Sequence, residues 1–261
     1  MPNALAKTRD MRQAAPVEAD PRHATVRFGA RPQALGELDW DVPVGGTVYG
    51  TLLNYKGALA ALAEAMLAPP YKEPPKAPIL YLKPPNTWIG YGKPIPLPAD
   101  VEAVEIGAAL GVVIGRTACR VKAAEAFDYV QGYTVLNDVA LPHASVYRPP
   151  IRQRCRDGFC PIGPWVIDRV AVPAPDRLAL RVFVNGALRA ENTTANLVRP
   201  IARLIADVTD FMTLSAGDVL HVGTPEQAPL ARVGDRVSIE IDGVGWLENP
   251  VVAEADAGGA A

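Results

Sequence analysis

Proline interrupts this chain too often to allow long helices. Its 261 residues include 26 prolines, and each fixes φ and removes a backbone donor. Clusters at Pro69-Pro70, Pro74-Pro75, Pro84-Pro85 and Pro94 to Pro98 mark connectors and turns. Between them lie short runs with strand character: Thr47–Leu53, Ile79–Leu82, Val101–Ile114, Leu178–Val184, Asp218–Val222 and Arg236–Ile241. Helical spacing is confined to Ala58–Leu67, Lys122–Val130 and Arg199–Met212. In the last of these, Ile201, Leu204, Ile205, Val208, Phe211 and Met212 share one face and read as core. The expected class is α+β, a β-rich mixed or antiparallel sheet with few helices. Strands and helices do not alternate as a Rossmann or TIM arrangement requires, and Val44-Gly45-Gly46-Thr47 lacks phosphate-loop spacing.

Residues 1–45 show little sustained period and read as a partly flexible N-terminal extension, with a short strand at Ala24–Phe28. Residues 46–252 form the organised domain, and 253–261 read as a flexible tail. A hydrophobic content of 49% with 21% charged residues is ordinary for a globular chain. The net charge of −2 gives no global attraction to nucleic acid or an anionic membrane. No apolar run is long enough to span a bilayer. The first residues lack the apolar core of a secretory signal. Cys119, Cys155 and Cys160 have no CxxC spacing, which disfavours a zinc site or a disulfide framework and fits a cytoplasmic location. Cys155 lies between two arginines, which would lower its pKa.

The stretch with the most chemical character runs from Gly132 to Pro164. A strand-like run ends in Asn137-Asp138, and a loop carrying Arg148, Arg152, Arg154 and Arg156 follows. An acid at a strand end facing a cationic loop suits a polyanionic small molecule, because arginine forks pair with carboxylates.

Four further phrases accompany it in order: Leu53-Asn54-Tyr55, Leu82-Lys83-Pro84-Pro85-Asn86-Thr87, Asn185-Gly186 with Thr193-Thr194, and Gly223-Thr224-Pro225. Together they resemble the fumarylacetoacetate hydrolase family, over roughly Gly46 to Val252. Tyr71-Lys72-x-Pro74-Pro75-Lys76, Tyr147-Arg148-Pro149 and Cys155–Gly163 are most similar to one kind of member. That kind is the N-terminal-type unit of the tandem decarboxylase/isomerase of homoprotocatechuate (4-hydroxyphenylacetate) breakdown.

The resemblance implies a Mg²⁺ or similar ion held by a Glu-x-Glu pair and an Asp, stabilising an enolate. Asp138 falls on the family's Asp, but Gly107 and Ala109 stand at the two Glu positions. Glu105, two residues earlier and about 6.6 Å along the strand, is the candidate substitute ligand beside Asp138. Alternation places Glu105, Gly107, Ala109, Gly111 and Val113 on one small, open face and Ile106 to Ile114 on a core face. Ala58 stands where active members carry a His. Lys83 and His143 are the catalytic candidates; Arg148, Arg152, Arg156 and Thr224 are the substrate-binding ones. His221 reads as a packed strand residue.

The implied activity is decarboxylation of 5-carboxymethyl-2-oxo-hex-3-ene-1,7-dioate and isomerisation of 2-hydroxyhepta-2,4-diene-1,7-dioate. The partner is then a small di- or tricarboxylic 2-oxo or enol acid, and the assembly a homodimer or a heteromer with a paralogous subunit. Two alternatives stand beside it. One is a catalytically inert subunit that assembles with a metal-binding paralogue. The other is a metal-independent tautomerase using Lys83 or His143.

Overall fold

The computed structural model describes residues 1–143 and 150–257. Its strands in chain order are β1 (Asn3–Ala6), β2 (Ala15–Asp20), β3 (Thr25–Arg27), β4 (Gln33–Ala34), β5 (Val48–Leu52), β6 (Ile79–Lys83), β7 (Trp88–Ile89), β8 (Ile95–Leu97) and β9 (Val104–Glu105). They continue as β10 (Ala108–Ile114), β11 (Val130–Asn137), β12 (Cys160–Asp168), β13 (Ala179–Val184), β14 (Ala187–Thr193), β15 (Val219–His221), β16 (Leu230–Ala231), β17 (Arg236–Ile241) and β18 (Gly245–Ala253). This is the strand-rich, mixed-sheet architecture that the proline spacing implies.

A large sheet runs β4-β3-β2-β1-β12-β11-β10-β15-β5-β6, with β7 also on β12. A five-stranded sheet, β14-β13-β17-β18-β8, packs on one face of it. The main core lies between them: Leu110, Val112, Ile114, Tyr133, Val135 and Ile167 meet Leu180, Val182, Val237, Ile239 and Leu247. The helix Ile201–Phe211 adds Ile201, Leu204, Ile205 and Val208 to that core. The other face of the large sheet carries a smaller apolar cluster, including Val48, Ala109, Val113, Leu136, Cys160, Ile162 and Val219. Period-two alternation thus sends each strand's side chains into two separate cores.

Several expectations change. Residues 1–45 are not a loose extension. β1 pairs antiparallel with β12, and β2 to β4 continue the same sheet. Trp40 is 1% exposed, stacks edge-on to Trp165 at 6.4 Å, and donates its indole N–H to the Leu35 carbonyl at 2.7 Å. The run from Val101 to Ile114 breaks at Ile106-Gly107 into β9 and β10, because Glu105 leaves to pair with Ala140 and Leu230. Residues Ala123–Tyr129 form 3₁₀ turns rather than an α-helix. Phe211 is 62% exposed, since the helix ends there and its last side chain clears the core. The small face of β10 is filled, not open: Ala109 and Val113 are buried in the second cluster.

Truncating a large buried aromatic side chain costs about 3–5 kcal/mol. Trp40→Ala is therefore expected to lower stability by that amount in urea denaturation. A loss below about 1 kcal/mol would mean the N-terminal strands are peripheral to the fold.

Candidate functional site

The site lies on the face of the large sheet that carries the smaller cluster. Register places Lys83 opposite Val48 and Tyr81 opposite Gly50, so both side chains of β6 project on that face. Gly50 is opposite His221, and His221 is opposite Gly111. A Cβ on Gly50 would fall 2.1 Å from the Tyr81 ring. Glycine there lets the phenol lie across β5 and reach β15. At the end of β11, Asp138 follows Asn137 and turns into the same space.

Asp138 is the hub, 1% exposed. Lys83 Nζ lies 2.8 Å from its Oδ1, an ion pair held by charge rather than by an aligned hydrogen bond. Arg154 Nη1 and the Tyr81 hydroxyl both donate to Oδ2. His221 Nε2 stands 3.4 Å from Oδ2 and 3.0 Å from the Tyr81 oxygen. The Gly223 N–H donates to His221 Nδ1 at 2.9 Å, so the ring proton belongs on Nε2, facing Tyr81 and Asp138. Lys83 is fully occupied, donating also to the carbonyls of Val139 (3.0 Å) and Arg154 (2.7 Å).

Burial alone would raise the Asp138 carboxyl, but the Arg154 guanidinium and the Lys83 ammonium outweigh it and hold the group well below its ordinary range. Burial and the adjoining carboxylate push Tyr81 well above a free phenol, so it acts as a neutral donor. Burial also raises Cys155, against the expectation from its arginine neighbours, and its thiol faces the Leu82 carbonyl at 3.4 Å. Cys160, fully buried, is pushed up to about 12.

The residues singled out from the sequence divide. Asp138 and Lys83 meet. Thr224 packs its methyl against Gly107, and its hydroxyl has no partner among the described residues. Glu105 is half-buried, and burial raises its pKa while His143 and Arg154 lower it; it joins no ion pair among the described residues. His143 turns its Nδ1 to the Leu141 carbonyl at 2.8 Å. Arg152 lies at the surface, 79% exposed and 3.8 Å from Asp100, and Arg156 pairs with Glu254 at 3.1 Å. Neither reaches Asp138; among the described residues the arginine that does is Arg154. Arg148 lies outside the described residues. Ala58 packs against the main core. Tyr81 and His221 are the site residues that the sequence reading passed over. The one available signal was the i, i+2 spacing of Tyr81 and Lys83 on a strand.

A divalent ion does not fit this donor set. Gly107 is held between the backbone of Asp138 and Thr224. Its carbonyl accepts from Asp138 N–H at 2.8 Å, and a Cβ would stand 2.5 Å from the Asp138 oxygen and 2.8 Å from Thr224 Cγ2. Ala109 is 0% exposed among apolar neighbours. No group of three His, Cys, Asp or Glu side chains forms a metal-binding arrangement among the described residues. Mg²⁺ asks for several hard oxygens. Here one carboxylate faces two cations, a net +1 before any ion arrives. Like charges 4 Å apart repel by about 4 kcal/mol at intermediate dielectric, and a dication doubles that.

The chain belongs to the fumarylacetoacetate hydrolase family: residues 47–252 match the family model described as fumarylacetoacetate (FAA) hydrolase C-terminal. It is 42% identical over 211 residues to the 4-hydroxyphenylacetate degradation bifunctional isomerase/decarboxylase of Escherichia coli, an alignment covering 81% of this chain and 48% of that protein. The chain thus spans about half the length of the curated relatives of that type. Among solved structures it is similar to the 5-carboxymethyl-2-hydroxymuconate delta-isomerase of Mycobacterium smegmatis (TM-score 0.76, 33% identity, 97% of this chain and 99% of that one). It is also similar to the 2-hydroxyhepta-2,4-diene-1,7-dioate isomerase of Mycobacterium marinum (TM-score 0.77, 30% identity, 97% and 99%). No helix among the described residues is long and apolar enough to cross a membrane.

Removing one member of a buried charge cluster costs about 3–5 kcal/mol, and Asp138→Asn is expected to fall in that range near neutral pH. Because the folded carboxyl titrates below its ordinary 3.8, its stabilisation is complete above that value and is lost as pH falls through the depressed one. Urea denaturation should therefore show the same gap between wild type and Asp138→Asn at about pH 5 as at about pH 7, closing only in stronger acid. A gap that vanishes by about pH 5 would contradict the cation-held carboxylate.

Proposed function

We propose that this chain serves homoprotocatechuate (4-hydroxyphenylacetate) breakdown as the unit of a decarboxylase/isomerase that lacks its own metal ion. It assembles with a paralogous unit that carries the Glu-x-Glu pair. The observation that carries this reading is the pair Gly107 and Ala109 beside an Asp138 already neutralised by Lys83 and Arg154. Its half-length match to bifunctional relatives supports it, since such a relative has room for a second unit of this size.

In this role the chain's own residues bind and orient rather than ionise a substrate. Lys83 and Tyr81 fix Asp138, and Asp138 in turn fixes the plane of Arg154. The Gly-Thr-Pro turn offers the hydroxyl of Thr224, which has no partner among the described residues. The ligands are small 2-oxo or enol acids such as 2-hydroxyhepta-2,4-diene-1,7-dioate.

A stand-alone decarboxylase/isomerase is the second reading. Its support is that the two mycobacterial isomerase chains are matched almost end to end by this one. The readings separate when the purified chain is mixed with 2-hydroxyhepta-2,4-diene-1,7-dioate and dienol absorbance is followed. The expected result is no metal-dependent turnover by the chain alone, and turnover once a Glu-x-Glu paralogue is added. Turnover by the chain alone that rises with Mg²⁺ and disappears in EDTA would sink the metal-free reading.

A further inference from the structure

The guanidinium of Arg154 is only half used. Nη1 donates to Asp138 Oδ2 and stands 3.4 Å from the Tyr81 oxygen, with Cζ 5.2 Å from the Tyr81 ring centroid. Nε is buried and has no hydrogen-bond partner, and Nη2 has none among the described residues. The residue as a whole is 9% exposed. Leaving a buried donor unmade costs about 1–3 kcal/mol, and more when the group is charged. Lys83 shows the contrast, since its ammonium donates to two carbonyls and pairs by charge with Asp138.

Three further facts bear on what would satisfy that edge. The cluster carries one positive charge in excess. Glu105, which feels the Arg154 charge, forms no ion pair with it. The side chain of Arg154 keeps 11% of its surface exposed; Nε is sealed, whereas Nη2 is not among the buried unpartnered atoms, so the edge is approached from its Nη2 end. The Nε–Nη2 edge of a guanidinium presents two parallel N–H groups, the spacing of a carboxylate's two oxygens. With Nη1 anchored on Asp138, the plane of that edge is set before a ligand arrives.

We propose that Arg154 binds the carboxylate of a 2-oxo or enol acid directly, through its Nε–Nη2 edge and with no metal ion between them. Asp138 and Tyr81 are positioning residues for it. The choice of ligand class rests on the reading under Proposed function; the anion site itself rests on the unpartnered edge and the charge excess.

The probe is oxalate, added to the full chain in EDTA, with binding read by calorimetry and by thermal shift against sulfate at equal ionic strength. Oxalate is expected to bind and stabilise the wild type, and replacing EDTA with Mg²⁺ should not tighten binding. Arg154→Lys keeps a cation on Asp138 but loses the two-pronged edge, so oxalate affinity should fall roughly tenfold or more. Arg152→Ala, altering a surface arginine, should leave it unchanged. An oxalate response that needs Mg²⁺, or that matches sulfate, or that survives Arg154→Lys intact, would overturn the proposal. If Arg154→Lys fails to fold, the wild type still decides. An arginine Nε–H resonance must shift on adding oxalate in EDTA, and its failure to shift overturns the assignment. Oxalate binding by a chain that never supports a paralogue's turnover would leave Arg154 assigned and remove the functional reading. The reverse pattern would remove Arg154 and keep the function.

Discussion

A buried carboxylate caught between an ammonium and a guanidinium organises this molecule's chemistry. Asp138 draws Lys83 from β6, Arg154 from the segment before β12, and Tyr81 from across β5 into one point. Each cation alone would be costly to bury, and the shared carboxylate repays that desolvation only because hydrogen bonds complete the set. Lys83 finds the Val139 and Arg154 carbonyls, and His221 is aimed by the Gly223 N–H. The cluster fastens the sheet's end strand β6 to the loop after β11, so the site and the fold share the same bonds.

Glycine makes the room. At Gly50 the Tyr81 ring occupies the volume a side chain would need, and at Gly107 the backbone of Asp138 does. The second closure has a chemical consequence. Gly107 lies against the backbone of Asp138 with no room for a side chain, and Ala109, two residues on, is part of an apolar cluster. The site therefore holds one carboxylate against two cations. What is left favours an anion over a dication.

Much of this was legible in the sequence, and the missing parts have physical causes. Proline spacing and short alternating runs indicated a strand-rich mixed sheet, and the ordered motifs singled out Lys83 and Asp138, which the structure brings together. The N-terminal strands were missed because their buried positions are small, Ala4, Ala6, Val17 and Ala19, and small residues give little hydrophobic alternation. Four arginines of one loop are chemically equal in a sequence. Only the turn at Ile151–Arg154 sends Arg154 inward while Arg152 and Arg156 face Asp100 and Glu254. His221 looked like a packed strand residue, and it is packed; its contact with Asp138 depends on the pairing of β15 with β10 and of β10 with β11, which joins residues far apart in the chain.

Asp138 is engaged by cations of the protein itself, which leaves a metal ion no carboxylate to take. Titrating the purified chain with Mn²⁺ while following the electron paramagnetic resonance signal of the free ion tests it most directly. The signal is expected to grow in proportion to added Mn²⁺ from the first addition, as it does in buffer. Stoichiometric uptake of Mn²⁺, abolished by Asp138→Asn, would contradict it.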